Sequence, residues 1–209
     1  MNPWLEIPLE DYEGHMGLPA VAQAQFLAEC LGACVQRLSP ASVAVLGCAG
    51  GNGFEDLPPQ RIHRVVGVDI NPSYVAAAQS RYRDRFKKLD LYCSDLLSEG
   101  FGFEPVDLVF AGLLFEYVDI AKCLSKIRHW LHPGGHLCVI LQLPSSAISK
   151  VSPSPFQSLG KLSSLMALVP PSEFESTSQA FGFKALTSRQ IALASGKAFH
   201  EWVLQYQPA

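Results

Sequence analysis

Apolar residues recur with two different periods along the chain, and these periods predict its helices and strands. Residues 19–38 place apolar side chains at helical spacing, which predicts one long amphipathic helix that ends at Ser39-Pro40. The preceding residues 1–17 lack such a period and are predicted to be irregular. Short aliphatic runs typical of buried strands then follow at residues 43–46, 65–68, 89–93, 106–111 and 136–143.

Helix signals occupy the segments between these runs. Asn71-Pro72 predicts a helix start, with a capping side chain followed by proline at the first helical position. Asp119 is predicted to cap a later helix that extends to Leu131 and is stopped by the Pro-Gly-Gly sequence at 133–135. Buried strands alternating with helices indicate a parallel sheet that is covered on both faces.

The C-terminal part departs from this alternation. Residues 145–170 are rich in proline and serine, which predicts a lid or insertion over the edge of the sheet. Residues 183–193 and 198–206 flank a Ser195-Gly196 turn, as expected of an antiparallel hairpin. The predicted fold class is therefore α/β, with a doubly wound, mostly parallel seven-stranded sheet that ends in an antiparallel C-terminal hairpin.

Composition narrows the possible function classes. A chain of 209 residues with 48% hydrophobic and 17% charged residues suits one folded domain. The net charge of −3 provides no overall basic field, so we expect no nucleic-acid partner. The six cysteines form no CxxC pair, which favours reduced thiols and no metal site. We find no apolar run resembling a signal peptide or a membrane span, so we expect a cytoplasmic protein. The sequence pattern leaves the oligomeric state open.

Four features follow the ends of predicted parallel strands, where open α/β sheets bind ligands. They are the glycine-rich loop 47–53, Asp69, the Ser94-Asp95-Leu96 tripeptide and the segment 111–117. Glycines allow close backbone approach to a ligand. A carboxylate at the end of the second strand, here Asp69, can accept ribose hydroxyls. Each feature also has a purely structural interpretation, as a packing turn or a helix cap. Together they predict a nucleoside site.

These segments resemble the motifs of class I S-adenosylmethionine-dependent methyltransferases. Residues 43–53 are similar to the first motif of that family, 66–70 to its acidic ribose motif and 94–96 to its adenine motif. Residues 106–110 and 131–137 resemble its later motifs. The resemblance covers about half of the chain, residues 41–143.

The resemblance implies a set of residues that bind S-adenosylmethionine and the product S-adenosylhomocysteine. It places the loop on the methionine portion, Asp69 on the ribose, Asp95 on the adenine and Ala111 near the sulfonium. The full predicted set is Met16, Gly47, Cys48, Ala49, Gly51, Gly53, Asp69, Ile70, Ser94, Asp95, Leu96 and Ala111. Ala49 stands where the family usually has glycine, and Pro58-Pro59 limits the helix after the loop to about one turn.

The family also suggests how the single domain, residues 1–209, is divided. We expect an N-terminal cap segment and helix (1–40) and a cofactor-binding core (41–143). A lid or insertion (144–180) and the C-terminal hairpin (181–209) are expected to follow.

Methyl transfer needs mainly in-line placement of the acceptor, and a base only where the acceptor must lose a proton. We predict His15 or Glu116 as that base, Tyr12 as a clamp and Met16 packed on the cofactor. Their structural alternatives are a loop histidine bonded to backbone and an exposed neighbour of a helix cap. The predicted substrate-binding residues are Phe115, Tyr117 and Gln142.

The acceptor is inferred chiefly from missing features. The chain lacks the Asn-Pro-Pro-Tyr sequence expected in methylation of base or glutamine amino groups, and it lacks a metal-ligand cluster. This favours a small molecule that accepts the methyl group on oxygen or nitrogen and binds under an apolar lid. The same lid residues also suit a face that packs against the rest of the protein. They are Phe156, Leu159, Leu162, Leu165, Met166 and Phe174.

Three other functions remain compatible with parts of this pattern. A nicotinamide-dependent oxidoreductase would share the glycine loop and Asp69, although residues 47–53 do not spell GxGxxG. A non-catalytic protein could use the fold to bind a nucleoside or a partner. Another transferase, such as an aminopropyl transferase, is the third alternative.

Overall fold

The computed structural model describes residues 2–145 and 149–208, and a seven-stranded sheet runs through its centre. The strand order is β3-β2-β1-β4-β5-β7-β6. The first five strands are parallel, whereas β7 pairs antiparallel with both β5 and β6. This confirms the predicted fold class. The strands are β1 (Ser42–Leu46), β2 (Arg64–Asp69), β3 (Lys88–Cys93), β4 (Val106–Gly112), β5 (Leu131–Gln142), β6 (Phe183–Ala192) and β7 (Ala198–Tyr206).

Five α-helices and three short 3-10 helices accompany the sheet in the described part of the chain. The α-helices are α1 (Leu9–Gly17), α2 (Gln23–Leu38), α3 (Pro72–Tyr82), α4 (Ile120–Ile127) and α5 (Pro171–Ala180). The 3-10 helices are Pro3–Glu6, Phe54–Asp56 and Gln157–Ser164. None of the helices in residues 2–145 and 149–208 combines the length and the apolar character needed to cross a bilayer.

The sheet is covered on both faces, as its aliphatic strands require. Alternate residues of β1 point to opposite faces. Ala44 and Leu46 join a core cluster that includes side chains of α4 and α5. Val43 and Val45 join a second cluster, which includes side chains of α2. Burial on both faces explains why the strands read as continuous apolar runs.

The prediction of an irregular N-terminus is wrong. Residues 3–6 form a 3-10 helix and residues 9–17 form α1. No apolar stripe marks α1 in the sequence, because the helix buries only His15 and Met16 among its nine residues. Contacts with distant residues hold the helix: Tyr12 packs against Trp4 and Tyr74, and Glu13 pairs with Arg81 of α3, with an Oε2–Nη2 distance of 3.0 Å.

Two predicted helix boundaries are also wrong. The long helix begins at Gln23 and not at residue 19, because Ala22 adopts a left-handed conformation with φ of 53°. The helix capped by Asp119 ends at Ile127, and β5 already begins at Leu131. The Pro-Gly-Gly sequence therefore lies inside β5, at an irregularity in its pairing with β4.

Asn71 caps α3 as predicted and also ties down the N-terminus. Its Oδ1 accepts the N–H of Ser73 at 3.0 Å. Its Nδ2 donates to the carbonyl of Trp4 at 2.8 Å, and the side chain is buried. One amide thus begins a helix and fixes the segment that precedes α1.

Replacing Asn71 by alanine is expected to lower the free energy of unfolding by about 2 kcal/mol, roughly half from the cap and half from the bond to Trp4. Asn71→Ser keeps a capping oxygen without the reach to Trp4, so its loss should be about 1 kcal/mol. Urea unfolding measures both variants. Equal losses in the two variants would show that the cap contributes nothing.

Candidate functional site

A large cavity opens where the parallel strands end. It contains about 1260 Å³ of empty space, counted out to its open mouth. The carboxyl ends of parallel strands meet at one edge of a sheet, so the loops after successive strands contribute to one wall. The wall residues are Gly47 and Ala49 after β1, Asp69 and Ile70 after β2, Ser94 to Leu97 after β3, Gly112 to Leu114 after β4, and Gln142 at the end of β5.

The N-terminal segment and the 3-10 helix Gln157–Ser164 form the opposite wall. Tyr12, His15 and Met16 of α1 line the cavity, as does Trp4. Ser158 donates to the carboxylate of Asp11 at 2.6 Å and so joins the 3-10 helix to α1. Both predicted residues Tyr12 and His15 are therefore brought to the cavity.

The predicted lid residues divide into two groups. Leu159, Leu162 and Met166 line the cavity, and Phe156 packs on the small cluster that includes Leu159 and Leu162. Phe174 belongs to the main core, where its ring lies 4.9 Å from that of Trp202. Leu165 is not among the lining residues. Positions 146–148 of the predicted lid lie outside the described residues.

Asp69 connects the two loops at one end of the cavity. Its Oδ2 accepts the N–H of Ala49 and its Oδ1 accepts the N–H of Asn71, both at 2.9 Å. Desolvation raises the pKa of the Asp69 carboxyl, and these two N–H donors oppose the rise. Each oxygen keeps a further lone pair for a ligand hydroxyl.

The residues after β3 lie beside Asp69. Ser94, Asp95 and Leu96 all line the cavity. Asp95 also accepts the N–H of Leu97 at 2.8 Å, so the local capping interpretation holds as well. The two interpretations are compatible because a carboxylate has several acceptor positions.

Only part of the predicted glycine loop reaches this cavity. Gly47 and Ala49 line it, and Ala49 has a φ of 47°, a left-handed conformation that costs a non-glycine residue roughly 1–2 kcal/mol. Cys48 is buried in the core against the sheet. A side chain at Gly53 would meet Ala28 and Leu31 of α2, so Gly53 serves helix packing.

Gly51 lines a second, smaller cavity on the other side of the loop. This cavity contains about 560 Å³ of empty space and is also lined by Arg81 and Tyr82. A Cβ at Gly51 would come 2.5 Å from the Tyr82 ring, which explains the glycine by close packing. For Cys48, Gly51 and Gly53 the predicted contact with the main cavity is therefore not observed.

The segment after β4 turns away from the cavity sooner than predicted. Gly112, Leu113 and Tyr117 line the cavity. Ala111 is fully buried within the sheet, and Phe115 packs against Phe174 in the core at 5.4 Å between ring centroids. Neither lines the cavity, because Ala111 still lies within β4 and Phe115 follows the turn at Leu113, whose φ is 55°.

Glu116 faces the protein interior and not the cavity. Its Oε1 accepts the N–H of Gln142 at 2.7 Å, and its Oε2 has no hydrogen-bond partner. The side chain is 1% exposed, so the alternative of an exposed helix-cap neighbour is also wrong. Burial raises the pKa of the Glu116 carboxyl to about 7, against the opposing effect of the Gln142 N–H.

Polar side chains that the sequence analysis missed line the other end of the cavity. Lys197 is buried, and its Nζ donates to Gln142 Oε1 at 3.0 Å and to the carbonyl of Lys150 at 2.7 Å. Burial lowers the pKa of Lys197 to about 8. Buried Gln23 and Tyr74 also line the cavity, and Gln23 Nε2 and Tyr74 Oη have no hydrogen-bond partner. A lysine that follows a Ser-Gly turn is expected to be exposed. Only the pairing of β7 with β5 could have predicted that Lys197 is buried.

His15 lies in the electrostatic range of this lysine. Burial lowers the pKa of His15 below its ordinary value, and the positive charge of Lys197 lowers it further. Its Nδ1 is buried without a hydrogen-bond partner. The imidazole is therefore held in its neutral form at neutral pH, the form that can accept a proton.

Three possible metal-ligand side chains meet elsewhere, inside the core. Cys34 of α2, Cys138 of β5 and Glu201 of β7 place donor atoms within 4.8 Å of one another. The two thiol sulfurs are 3.1 Å apart. Ligand spacing along the sequence could not reveal this group, because its members come from three separate elements. Glu201 already pairs with Arg189.

Known proteins resemble the part of the chain that builds this cavity. Residues 44–139 match a family model described as a methyltransferase domain. These residues, a little under half of the chain, therefore form a methyltransferase domain. A phosphoethanolamine N-methyltransferase 1 from Triticum aestivum is 28% identical to this chain over 103 residues, which cover 47% of this chain and 20% of that protein. The chain spans about a fifth or less of the length of the curated relatives it matches.

Solved structures share the fold of about nine-tenths of this chain. The N-methyltransferase NodS from Bradyrhizobium japonicum WM9, in complex with S-adenosylhomocysteine, aligns with a TM-score of 0.67 and 16% identity, over 89% of this chain and 88% of that one. The [4+2]-cyclase SpnF aligns with a TM-score of 0.67 and 13% identity, over 90% of this chain and 83% of that one.

Replacing Glu116 by glutamine is expected to stabilise the methyltransferase domain above neutral pH. Because burial raises this pKa from 4.5 to about 7, the folded state holds the proton more tightly than the unfolded chain and loses stability as pH rises through this window. The amide keeps an oxygen for the Gln142 N–H and carries no charge. We expect a gain of roughly 1–3 kcal/mol at about pH 8 and much less at about pH 5.

Urea unfolding at both pH values measures the effect, with exposed Glu99→Gln as the control for a lost surface charge. A loss of stability in Glu116→Gln at pH 8 would mean that the ionised carboxylate is needed for folding.

Proposed function

We propose that this chain binds S-adenosylmethionine in the main cavity and transfers its methyl group to an oxygen or nitrogen of a small molecule. The observation that carries the proposal is the Asp69 carboxylate. It opens onto the cavity between the loop after β1 and the Ser94-Asp95-Leu96 segment, with acceptor capacity left on both oxygens.

The residues present fit this cofactor. A ribose offers two adjacent hydroxyls to Asp69, and an adenine edge offers hydrogen-bonding groups to the segment 94–96. Tyr74 Oη lines the same cavity, and it is a buried hydroxyl without a partner.

The chain's own contribution is orientation and exclusion of water. S-adenosylmethionine, when bound, supplies an electrophilic methyl group on a good leaving group. Trp4 packs edge-on against Tyr12 and Tyr117, with ring centroids 5.8 and 5.1 Å away, and the three rings form one wall of the cavity. Burial raises the pKa of Tyr12, so its hydroxyl stays protonated and suits a clamp better than a base. Placement of the acceptor in such an enclosed site supplies most of the acceleration.

Of the two predicted bases, His15 suits the geometry and Glu116 does not. His15 lines the cavity in its neutral form, whereas Glu116 binds the backbone of β5. We therefore assign proton removal to His15, for acceptors whose hydroxyl or ammonium must lose a proton. Tyr117 and Gln142 remain the proposed substrate contacts, and Met16 remains the proposed cofactor contact.

Asp69→Asn is expected to weaken S-adenosylhomocysteine binding at least tenfold, because the amide replaces one acceptor oxygen with a donor. Calorimetric titration with S-adenosylhomocysteine measures the affinity. The control is Asp56→Asn, which removes the charge of an exposed residue that does not line the cavity. This variant should bind S-adenosylhomocysteine like the parent protein. Absence of binding heat in the parent protein would refute the proposed function.

His15→Gln is expected to lower kcat about a hundredfold or more for a hydroxyl or ammonium acceptor, with little change in S-adenosylhomocysteine affinity. Since the pKa of His15 is lowered, kcat of the parent should decline only below the ordinary histidine range of about 6.5. Transfer of a labelled methyl group across a pH series measures both effects. An unchanged kcat in the variant would exclude His15 as the base.

A second candidate is a non-methylating reaction in the same cavity. The fold is shared with SpnF, which is named as a [4+2]-cyclase, so the fold alone does not determine the reaction. Cofactor binding without labelled product, across a broad set of acceptors, would favour this candidate.

A further inference from the structure

Lys197 reaches the cavity because of the direction of its strand. β7 runs antiparallel to β5, so the beginning of β7 lies beside the end of β5, at the edge where the parallel strands end. Gln142 pairs with Phe199, and the N–H of Leu143 donates to the carbonyl of Ala198 at 2.8 Å. Lys197, one residue before β7, is thereby placed next to Gln142 and is 3% exposed.

Counted over the described residues, the ammonium of Lys197 has one more donor than partners. It donates to two neutral oxygens, Gln142 Oε1 and the carbonyl of Lys150, whereas an ammonium carries three N–H groups. None of the ion pairs found in residues 2–145 and 149–208 involves Lys197. A buried cation without a counter-charge is costly, which indicates that a ligand completes the site.

The acidic side chains of the cavity lie too far away to provide that counter-charge. Among the described lining residues, the carboxylates are those of Asp69 and Asp95. Asp69 ends β2, four strand positions from β7, which is roughly 19 Å at the usual strand spacing. Glu116 binds the backbone N–H of Gln142 and does not line the cavity.

The surroundings of Lys197 define an amphipathic binding site. The polar side is formed by Lys197, Gln142 and Gln23, whose Nε2 is a donor without a partner. The apolar side is formed by Val151, Leu159, Leu162 and Met166. Such a site matches a ligand that has one anionic group on an apolar body.

We propose that the methyl acceptor is a small amphipathic carboxylic acid whose carboxylate binds the ammonium of Lys197. The inference rests on the proposed function, since it assigns this end of the cavity to the acceptor. Lys197 is a substrate-binding residue in this account, and the apolar body of the acid lies against the 3-10 helix Gln157–Ser164.

The test compares acids with their neutral amides on protein saturated with S-adenosylhomocysteine. The probes are octanoate and phenylacetate, with octanamide and phenylacetamide as the matched neutral molecules. Calorimetry should show at least one acid binding tenfold or more tightly than its amide. The preference should disappear in Lys197→Met, which keeps the side-chain length without the charge, and persist in Lys184→Met, an exposed lysine of β6.

Equal affinity for acid and amide, or no acid binding by the loaded protein, would overturn the inference. Failure of S-adenosylhomocysteine itself to bind would instead refute the proposed function, and this is measured first for every variant. The two failures are therefore distinct.

A second measurement on the parent protein decides the matter if Lys197→Met does not fold. Lys197 is cationic below its pKa of about 8, so the affinity for the acid should fall about tenfold between about pH 7 and pH 9 while that for the amide stays constant. The groups near this end are Lys150, Glu116 and His15. His15 is already neutral across this range, whereas Glu116 loses its proton near pH 7, so the profile is repeated in Glu116→Gln, where the fall should persist. Parallel pH profiles for acid and amide would contradict an anion site at Lys197.

Discussion

The carboxylate of Asp69 holds together the two loops on which the cavity depends. By accepting one N–H from Ala49 and one from Asn71, it joins the loop after β1 to the start of α3. The first bond keeps Ala49 in a left-handed conformation that alanine does not favour. The second positions Asn71, which fixes the carbonyl of Trp4 and with it the N-terminal wall. A residue expected to bind a ribose thus also shapes the site.

The antiparallel hairpin is the second constraint, because it places Lys197 at the end of the cavity that is proposed to bind the acceptor. Five parallel strands bring polar groups only through the loops that follow them. The reversal of β7 adds the residue that precedes a strand, which is how buried Lys197 comes to face Gln142. The positive charge of Lys197 in turn lowers the pKa of His15 on α1. The proposed cofactor and acceptor positions thereby lie apart along one edge of the sheet.

Local signals predicted the parts of the fold that depend on local interactions. Aliphatic runs predicted the strands because both faces of the sheet are buried, and Asn71 and Asp119 predicted helix starts because capping is a contact between near neighbours. α1 escaped prediction because long-range contacts such as Glu13–Arg81 and Ser158–Asp11 hold it. The orientation of Glu116 depends on the turn at Leu113, and the burial of Lys197 depends on strand pairing across 55 residues of chain.

A crystal structure of the protein with S-adenosylhomocysteine would test the central claim most directly. The account predicts that both ribose hydroxyls lie within hydrogen-bond distance of the Asp69 carboxylate. It also predicts that the adenine lies beside Ser94 to Leu96 and that the space beside Lys197 stays free for the acceptor. A nucleoside bound beside Lys197, or outside this cavity, would contradict the account.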